Sequence, residues 1–198
     1  MEQMTLDGGF DEPVLGAQTA FRAIMDALAN PGQPQALTPV TIGAGLAPEL
    51  AAVALTLCDH DSPLWLDPAL AGNDGVVSWL RFQTGAPLAT DPGKAQFALA
   101  TDAAALPAFE RFALGTDEYP DRSTTIALAL PALDGGTPLT LRGPGIRDVA
   151  HIAPTGLPHD FVAQWAANRD LFPRGVDLLL VADGQVIGLP RTTRITEG

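Results

Sequence analysis

Apolar residues recur at helical spacing early in the chain: Ala17, Ala20, Phe21, Ile24, Met25 and Leu28 line one side of a helix predicted over 15–29. Asn30-Pro31-Gly32 must end it, because proline and glycine cannot continue the pattern. After a proline-rich loop, Pro48 is suited to a first helical turn, and Leu50, Val53, Ala54 and Leu57 extend that helix to residue 58. Val76 to Phe82 turns Trp79 and Leu80 to one side and Arg81 to the other. Asp102 is placed to cap a helix through Leu106, Phe109 and Phe112, and Pro158 opens one through Phe161 and Trp165 to residue 170. Between these lie apolar runs of strand length at 63–66, 96–100, 126–130, 138–142, 149–153, 177–182 and 186–190. Asp183-Gly184 supplies the positive φ angles of a tight hairpin between the last two. Gly135-Gly136 reads as the turn that makes 126–130 and 138–142 antiparallel neighbours.

Helices and strands alternate early and strands dominate later, which predicts an α/β fold with a mixed central sheet covered by helices. Residues 1–14, with Asp7-Gly8-Gly9 and Pro13, are expected to form an N-terminal arm, and 15–198 one domain. A chain of 198 residues can bury about 70% of its unfolded surface. The apolar runs are too short and too interrupted to span a bilayer, and no basic segment precedes an apolar one at the start, so no signal peptide is expected. The single cysteine, Cys58, excludes an internal disulfide, and its apolar setting in Ala-Leu-Thr-Leu-Cys predicts a buried, inert thiol in a cytoplasmic protein.

Charge narrows the function. Lysine and arginine total 11 against 23 aspartates and glutamates, a formal net charge of −12, which argues against a nucleic-acid-binding face. Lys94 is the only lysine, leaving ten arginines (11 − 1). An anionic ligand would need a local cluster of them, and the planar guanidinium fork suits phosphate oxygens. Arginine does recur where strands begin or end: Asp121-Arg122, with Thr124 following; Arg142-Gly143-Pro-Gly145; Arg174-Gly; and Arg191-Thr-Thr-Arg194. Were the two strands paired, these loops would form one patch of arginine, hydroxyl and exposed amide. Asp121, Arg122, Thr124, Arg142, Gly143, Gly145, Arg174 and Arg191 are therefore candidate anion-binding residues, set against the plainer account of salt bridges to Asp121 and Asp177. Arg22 and Asp26, four apart, read as a helix-surface ion pair. Cys58-Asp-His60-Asp could supply metal ligands by type, but consecutive side chains do not converge, so a helix end and a turn are expected and no metal site. The P-loop, nucleophile-elbow and His-Glu-x-x-His patterns are absent.

Several segments together resemble the PhnH family, the H subunit of the carbon–phosphorus lyase core complex. They are Phe21-Arg-Ala-Ile-Met-Asp-Ala-Leu-Ala, Leu55-Thr-Leu-Cys-Asp-His, Phe82-Gln-Thr-Gly-Ala-Pro and Tyr119-Pro-Asp-Arg-Ser-Thr-Thr, followed by Leu141-Arg-Gly-Pro-Gly-Ile, Phe172-Pro-Arg-Gly-Val-Asp-Leu-Leu-Leu and Leu189-Pro-Arg-Thr-Thr. Gln83 departs from the family pattern, where histidine is expected. The resemblance implies a cytoplasmic homodimer that joins PhnG, PhnI and PhnJ and supports synthesis of alpha-D-ribose 1-methylphosphonate 5-triphosphate in phosphonate catabolism. It implies no catalytic set in this subunit, and a fold like the large domain of pyridoxal-phosphate transferases without the cofactor. The rival reading, a free-standing pyridoxal-phosphate enzyme, needs a Schiff-base lysine. Lys94 alone could serve, and Asp91-Pro-Gly-Lys-Ala predicts an exposed turn there.

Overall fold

The computed structural model describes residues 6–42 and 45–198; residues 1–5 of the expected arm and 43–44 of the loop before the second helix lie outside them. The chain begins with β1 (Gly8–Gly9), α1 (Pro13–Ala29), β2 (Gln35–Ala36), β3 (Thr41–Ile42), α2 (Pro48–Leu57) and β4 (Leu64–Leu66). It continues through α3 (Pro68–Ala71), α4 (Asp74–Thr84), β5 (Leu88–Ala89), β6 (Phe97–Ala100), β7 (Thr125–Ala129) and β8 (Ala132–Arg142). It closes with β9 (Ala150–Thr155), α5 (Phe161–Asp170), β10 (Asp177–Ala182), β11 (Gln185–Leu189) and β12 (Arg194–Glu197).

β4, β6, β7 and β10 are nearly unbroken apolar runs, the pattern of strands covered on both faces. They form the middle of a seven-stranded sheet in the order β2-β11-β10-β7-β6-β4-β5. Its strands are parallel from β10 across to β5, while β11 runs antiparallel to both its neighbours, β10 and β2. The hairpin between β10 and β11 turns at Asp183 (φ 52°) and Gly184 (φ 70°), as expected. Alternate residues feed two cores. Leu179, Val181, Leu99 and Leu64 pack with Ile24 of α1, Leu50 of α2 and Trp79 and Leu80 of α4. Leu178, Leu180, Ile126 and Leu128 meet Leu139, Leu141, Ile152, Phe161 and Trp165 on the other side. The mixed central sheet flanked by helices is thus the one the periodicity predicts.

The pairing of 126–130 with 138–142 is not. β7 lies between β6 and β10, whereas β8 belongs to a separate antiparallel sheet, β12-β8-β9. The difference follows from the burial pattern: β7 is apolar on both faces, but along β8 Leu139 and Leu141 are buried while Thr140 and Arg142 face outward. Gly135 and Gly136 form no turn either. They sit inside β8 where its register with β9 shifts, and a Cβ on Gly136 would lie 2.1 Å from the Pro154 carbonyl oxygen. The helix expected after Asp102 is also absent. Asp102 closes a turn on the Ala104 amide, and Pro107 stops propagation, leaving one 3₁₀ turn at Phe109–Arg111. Phe109 and Phe112 of that stretch are nonetheless buried: Phe109 meets Trp165 edge-on at 5.9 Å and Phe112 meets Trp65 at 5.5 Å. α5 starts three residues later than predicted, and Arg22 and Asp26 form no ion pair.

Asp67 ties together the carboxyl ends of β4 and β6. One of its oxygens accepts from the Leu70 amide at 2.8 Å, capping α3. The other accepts from the amides of Thr101 (2.6 Å) and Asp102 (3.2 Å) and the Thr101 hydroxyl (2.9 Å). The carboxylate is completely buried, a placement tolerable only with such partners. The N-terminal arm is held by α4: Trp79 Nε1 donates to Asp7 O at 3.2 Å, and Gln83 Nε2 to Leu6 O at 3.0 Å and Gly8 O at 3.2 Å. No helix among the described residues is long and apolar enough to cross a membrane.

Candidate functional site

Arg191 enters the site from the loop after β11, opposite the first residue of β10, Asp177. Its backbone amide donates to Asp177 Oδ1 at 2.7 Å and its Nε to the same oxygen at 3.1 Å, while Nη2 pairs with Asp177 Oδ2. Nη1 donates to Pro120 O at 2.9 Å and Pro173 O at 3.3 Å, and Nη2 to Ser123 Oγ at 2.5 Å. A guanidinium has five N–H groups, and these contacts use all of them. The side chain is only 13% exposed. Arg191 is therefore a latch that fastens the loop before β7, the loop before β10 and the loop after β11, and it has no donor left for a phosphate.

Around this latch lies a cleft of about 360 Å³, lined by Pro120, Asp121, Phe172, Pro173, Asp177, Pro190, Arg191 and Thr192. Its position matters. β7 and β10 begin at Thr125 and Asp177, so the cleft sits at the amino ends of the parallel strands. Ligands of open α/β sheets bind beyond the carboxyl ends. Here that end carries the Asp67 network, which is internally satisfied.

The other candidates separate. Asp121 is exposed on the rim of the cleft. The Arg122 guanidinium lies 4.1 Å above the Tyr119 ring. Arg174 Nε is 3.3 Å from Asp117 Oδ1, with both side chains substantially in water. Thr124 is fully buried, its hydroxyl donating to Ala95 O at 2.6 Å and accepting from the Ala113 amide at 3.2 Å, so it serves the core. Gly143 backs onto Thr192, and Gly145 (φ 81°) packs so close to the end of α1 that a Cβ there would lie 2.1 Å from Ala29 O. The 143–145 loop is consequently a packing loop beside the latch rather than an open cradle. Arg142 is exposed and lies opposite Arg194 across the β8–β12 ladder. Asp177, named as a salt-bridge partner on sequence grounds, is one; Ser123 and the Pro120 and Pro173 carbonyls have no such signal, because only the fold brings them to Arg191.

The acidic stretch after α2 behaves as a turn: Asp59 Oδ1 accepts from the Asp61 amide at 3.0 Å and the Ser62 hydroxyl at 2.7 Å. These hydrogen bonds, led by that from Ser62, hold the Asp59 carboxyl below its usual range. Burial, reinforced by the Asp59 charge, pushes the Cys58 thiol up to about 12. No group of histidine, cysteine and acidic side chains among the described residues could hold a metal ion. Lys94 is exposed at the end of a 3₁₀ turn.

The sequence pattern of the family described as "Bacterial phosphonate metabolism protein (PhnH)" matches residues 8–196. The chain belongs to the PhnH family. A relative from Rhizobium meliloti (strain 1021), named "Alpha-D-ribose 1-methylphosphonate 5-triphosphate synthase subunit PhnH", is 50% identical over 189 residues, covering 95% of this chain and 94% of the relative. The "Putative C-P lyase subunit protein HtxG" of Stutzerimonas stutzeri is 34% identical over 178 residues, covering 90% and 85%. Within this PhnH-family chain, three of the four arginine-bearing loops that carry the resemblance, at 119–125, 172–177 and 189–193, are held together by Arg191 and Asp177, and the fourth, at 141–146, is not.

Proposed function

We propose that this chain is an accessory subunit of a carbon–phosphorus lyase core complex and supports synthesis of alpha-D-ribose 1-methylphosphonate 5-triphosphate without itself catalysing it. The observation that carries the reading is the half-identical relative of that name, matched end to end. The internal use of Arg191 supports an architectural role for the loops that a catalytic reading would have enlisted. Residues 15–198 act as one unit in the cytoplasm, joined to PhnG, PhnI and PhnJ. The mixed seven-stranded sheet supports kinship with the large domain of pyridoxal-phosphate transferases, used without that cofactor since Lys94 is exposed on a turn. Self-association is supported by α1, which presents Val14, Phe21 and Met25 to solvent at 70%, 49% and 47% exposure along one side. A copy of the same chain covers such a stripe with two-fold symmetry.

The test is product analysis with ATP and methylphosphonate, using PhnG, PhnI, PhnJ and this chain together, then omitting each. Product only when this chain is present with the others is expected. Adenine release by this chain alone overturns the reading. Light scattering on the purified chain reports the dimer, and Phe21→Glu is expected to give a monomer of unchanged fold.

A further inference from the structure

We propose that the outer face of the β12-β8-β9 sheet docks an acidic face of a partner protein subunit, held by Arg142 and Arg194. The inference rests on the accessory-subunit reading. In the β8–β12 ladder Arg142 and Arg194 are direct partners. The next outward positions are Thr140, paired with Thr196 on one side and His151 on the other. Arg142, His151, Arg194 and Thr196 are exposed, as is Arg147 in the following loop. Directly opposed side chains in an antiparallel pair lie about 4.5–5.5 Å apart at Cβ, and like charges so placed repel.

Among the described residues neither Arg142 nor Arg194 forms an ion pair. The Arg142 guanidinium makes a long bond, 3.4 Å, from Nη1 to the Asp148 carbonyl. Glu197 of β12 pairs with the buried Leu139, so strand alternation sends it to the opposite face. The chain has 23 acidic residues and 11 basic ones, yet the outward ladder positions hold two arginines, a histidine and two threonines, and no carboxylate. A surface that is locally cationic in a strongly anionic protein, at a cost to the isolated fold, is complementary to something outside it.

The face is an open sheet surface, so a small anion would stay hydrated there and gain little from an exposed pair. A protein surface laid over it excludes water, and the same charge pairs then strengthen. The two guanidiniums stand side by side across the ladder rather than along one strand. Carboxylates one turn apart on a helix, about 5.4 Å along its axis, match that spacing.

The experiment uses the full chain with threonine at both positions, Arg142→Thr and Arg194→Thr, with an Arg142→Lys and Arg194→Lys pair as the charge-retaining control. Binding to purified PhnG, PhnI and PhnJ is measured by calorimetry across a salt series, alongside melting temperature and binding of inorganic triphosphate. The threonine variant is expected to bind the partner subunits at least about ten-fold more weakly with a shallower salt dependence, and the lysine variant to keep most of the affinity. Its melting temperature is expected to stay or rise by about 1–3 °C, because repulsion is removed and threonine favours strands. Unchanged association of the threonine variant overturns the inference and leaves the accessory-subunit reading intact. A drop in melting temperature large enough to explain the loss makes the arginines structural and also overturns it. Triphosphate bound by the wild type and lost in the threonine variant would make the face a small-anion site instead. Failure of the wild-type chain to associate with any of the three removes both the reading and the inference.

Discussion

Replacing Asp177 by asparagine tests whether Arg191 is a latch or a ligand-binding arginine. The substitution keeps the shape and removes the charge opposite a guanidinium that is 13% exposed, from a carboxylate that is itself 20% exposed. Breaking a fully buried pair on one side costs about 3–5 kcal/mol. Residual solvent at both groups screens this, and the carbonyls of Pro120 and Pro173 and the Ser123 hydroxyl remain as acceptors, so about 2–3 kcal/mol is expected. For a chain of this size that lowers the melting temperature by about 4–12 °C. Arg191→Met removes the five donors and is expected to cost a similar amount. The double variant should be far less destabilised than the sum, because neither charge is then stranded. The assay is thermal and urea unfolding of the four proteins in the cycle. An Asp177→Asn change within about 0.5 kcal/mol of wild type would refute the latch. So would inorganic triphosphate raising the melting temperature of wild type but not of Arg191→Met, since that requires a free donor on Arg191.

Cys58, with its thiol pushed up to about 12, is expected to react with iodoacetamide at pH 8 about a thousand-fold more slowly in the folded chain than in urea, since only the thiolate attacks. The same shift has a sign for stability: the unfolded chain loses this proton near pH 8.5 and the folded chain holds it to about 12, so stability falls as pH rises through that window. Gly136→Ala is expected to cost about 2 kcal/mol or more, because β8 and β9 must part to admit the methyl group; an unchanged urea midpoint would contradict the close approach to Pro154. Gln83→Ala removes both side-chain bonds to the N-terminal arm, and amide exchange at residues 7–10 should accelerate with little change in global stability, about 1 kcal/mol.

The sequence alone determined the elements whose periodicity is strong and whose ends are chemically marked. The body of helix α1 and its end at Asn30, helix α2 from Pro48, and the β10–β11 hairpin at Asp183-Gly184 were legible because propensity, pattern and turn chemistry agree over neighbouring residues, whereas α1 begins at Pro13, two residues inside the expected arm. So was the pairing of Asp177 with an arginine. What only the tertiary structure decided is long-range pairing. β7 and β8 are adjacent in sequence and joined by two residues, yet they part into different sheets because β7 needs cover on both faces and β8 on one. That separation divided the expected arginine patch: Arg191 was drawn inward to Asp177, Thr124 into the core, and Arg142 outward beside Arg194 in β12, a strand absent from the sequence reading. The Arg191 latch joins Pro120, Ser123, Pro173 and Asp177 across as many as 71 positions of chain, and the Asp67 network spans 34 and 35. Local pattern fixes which side chains must be buried or capped; which distant atom satisfies a buried donor depends on the packing of the whole sheet.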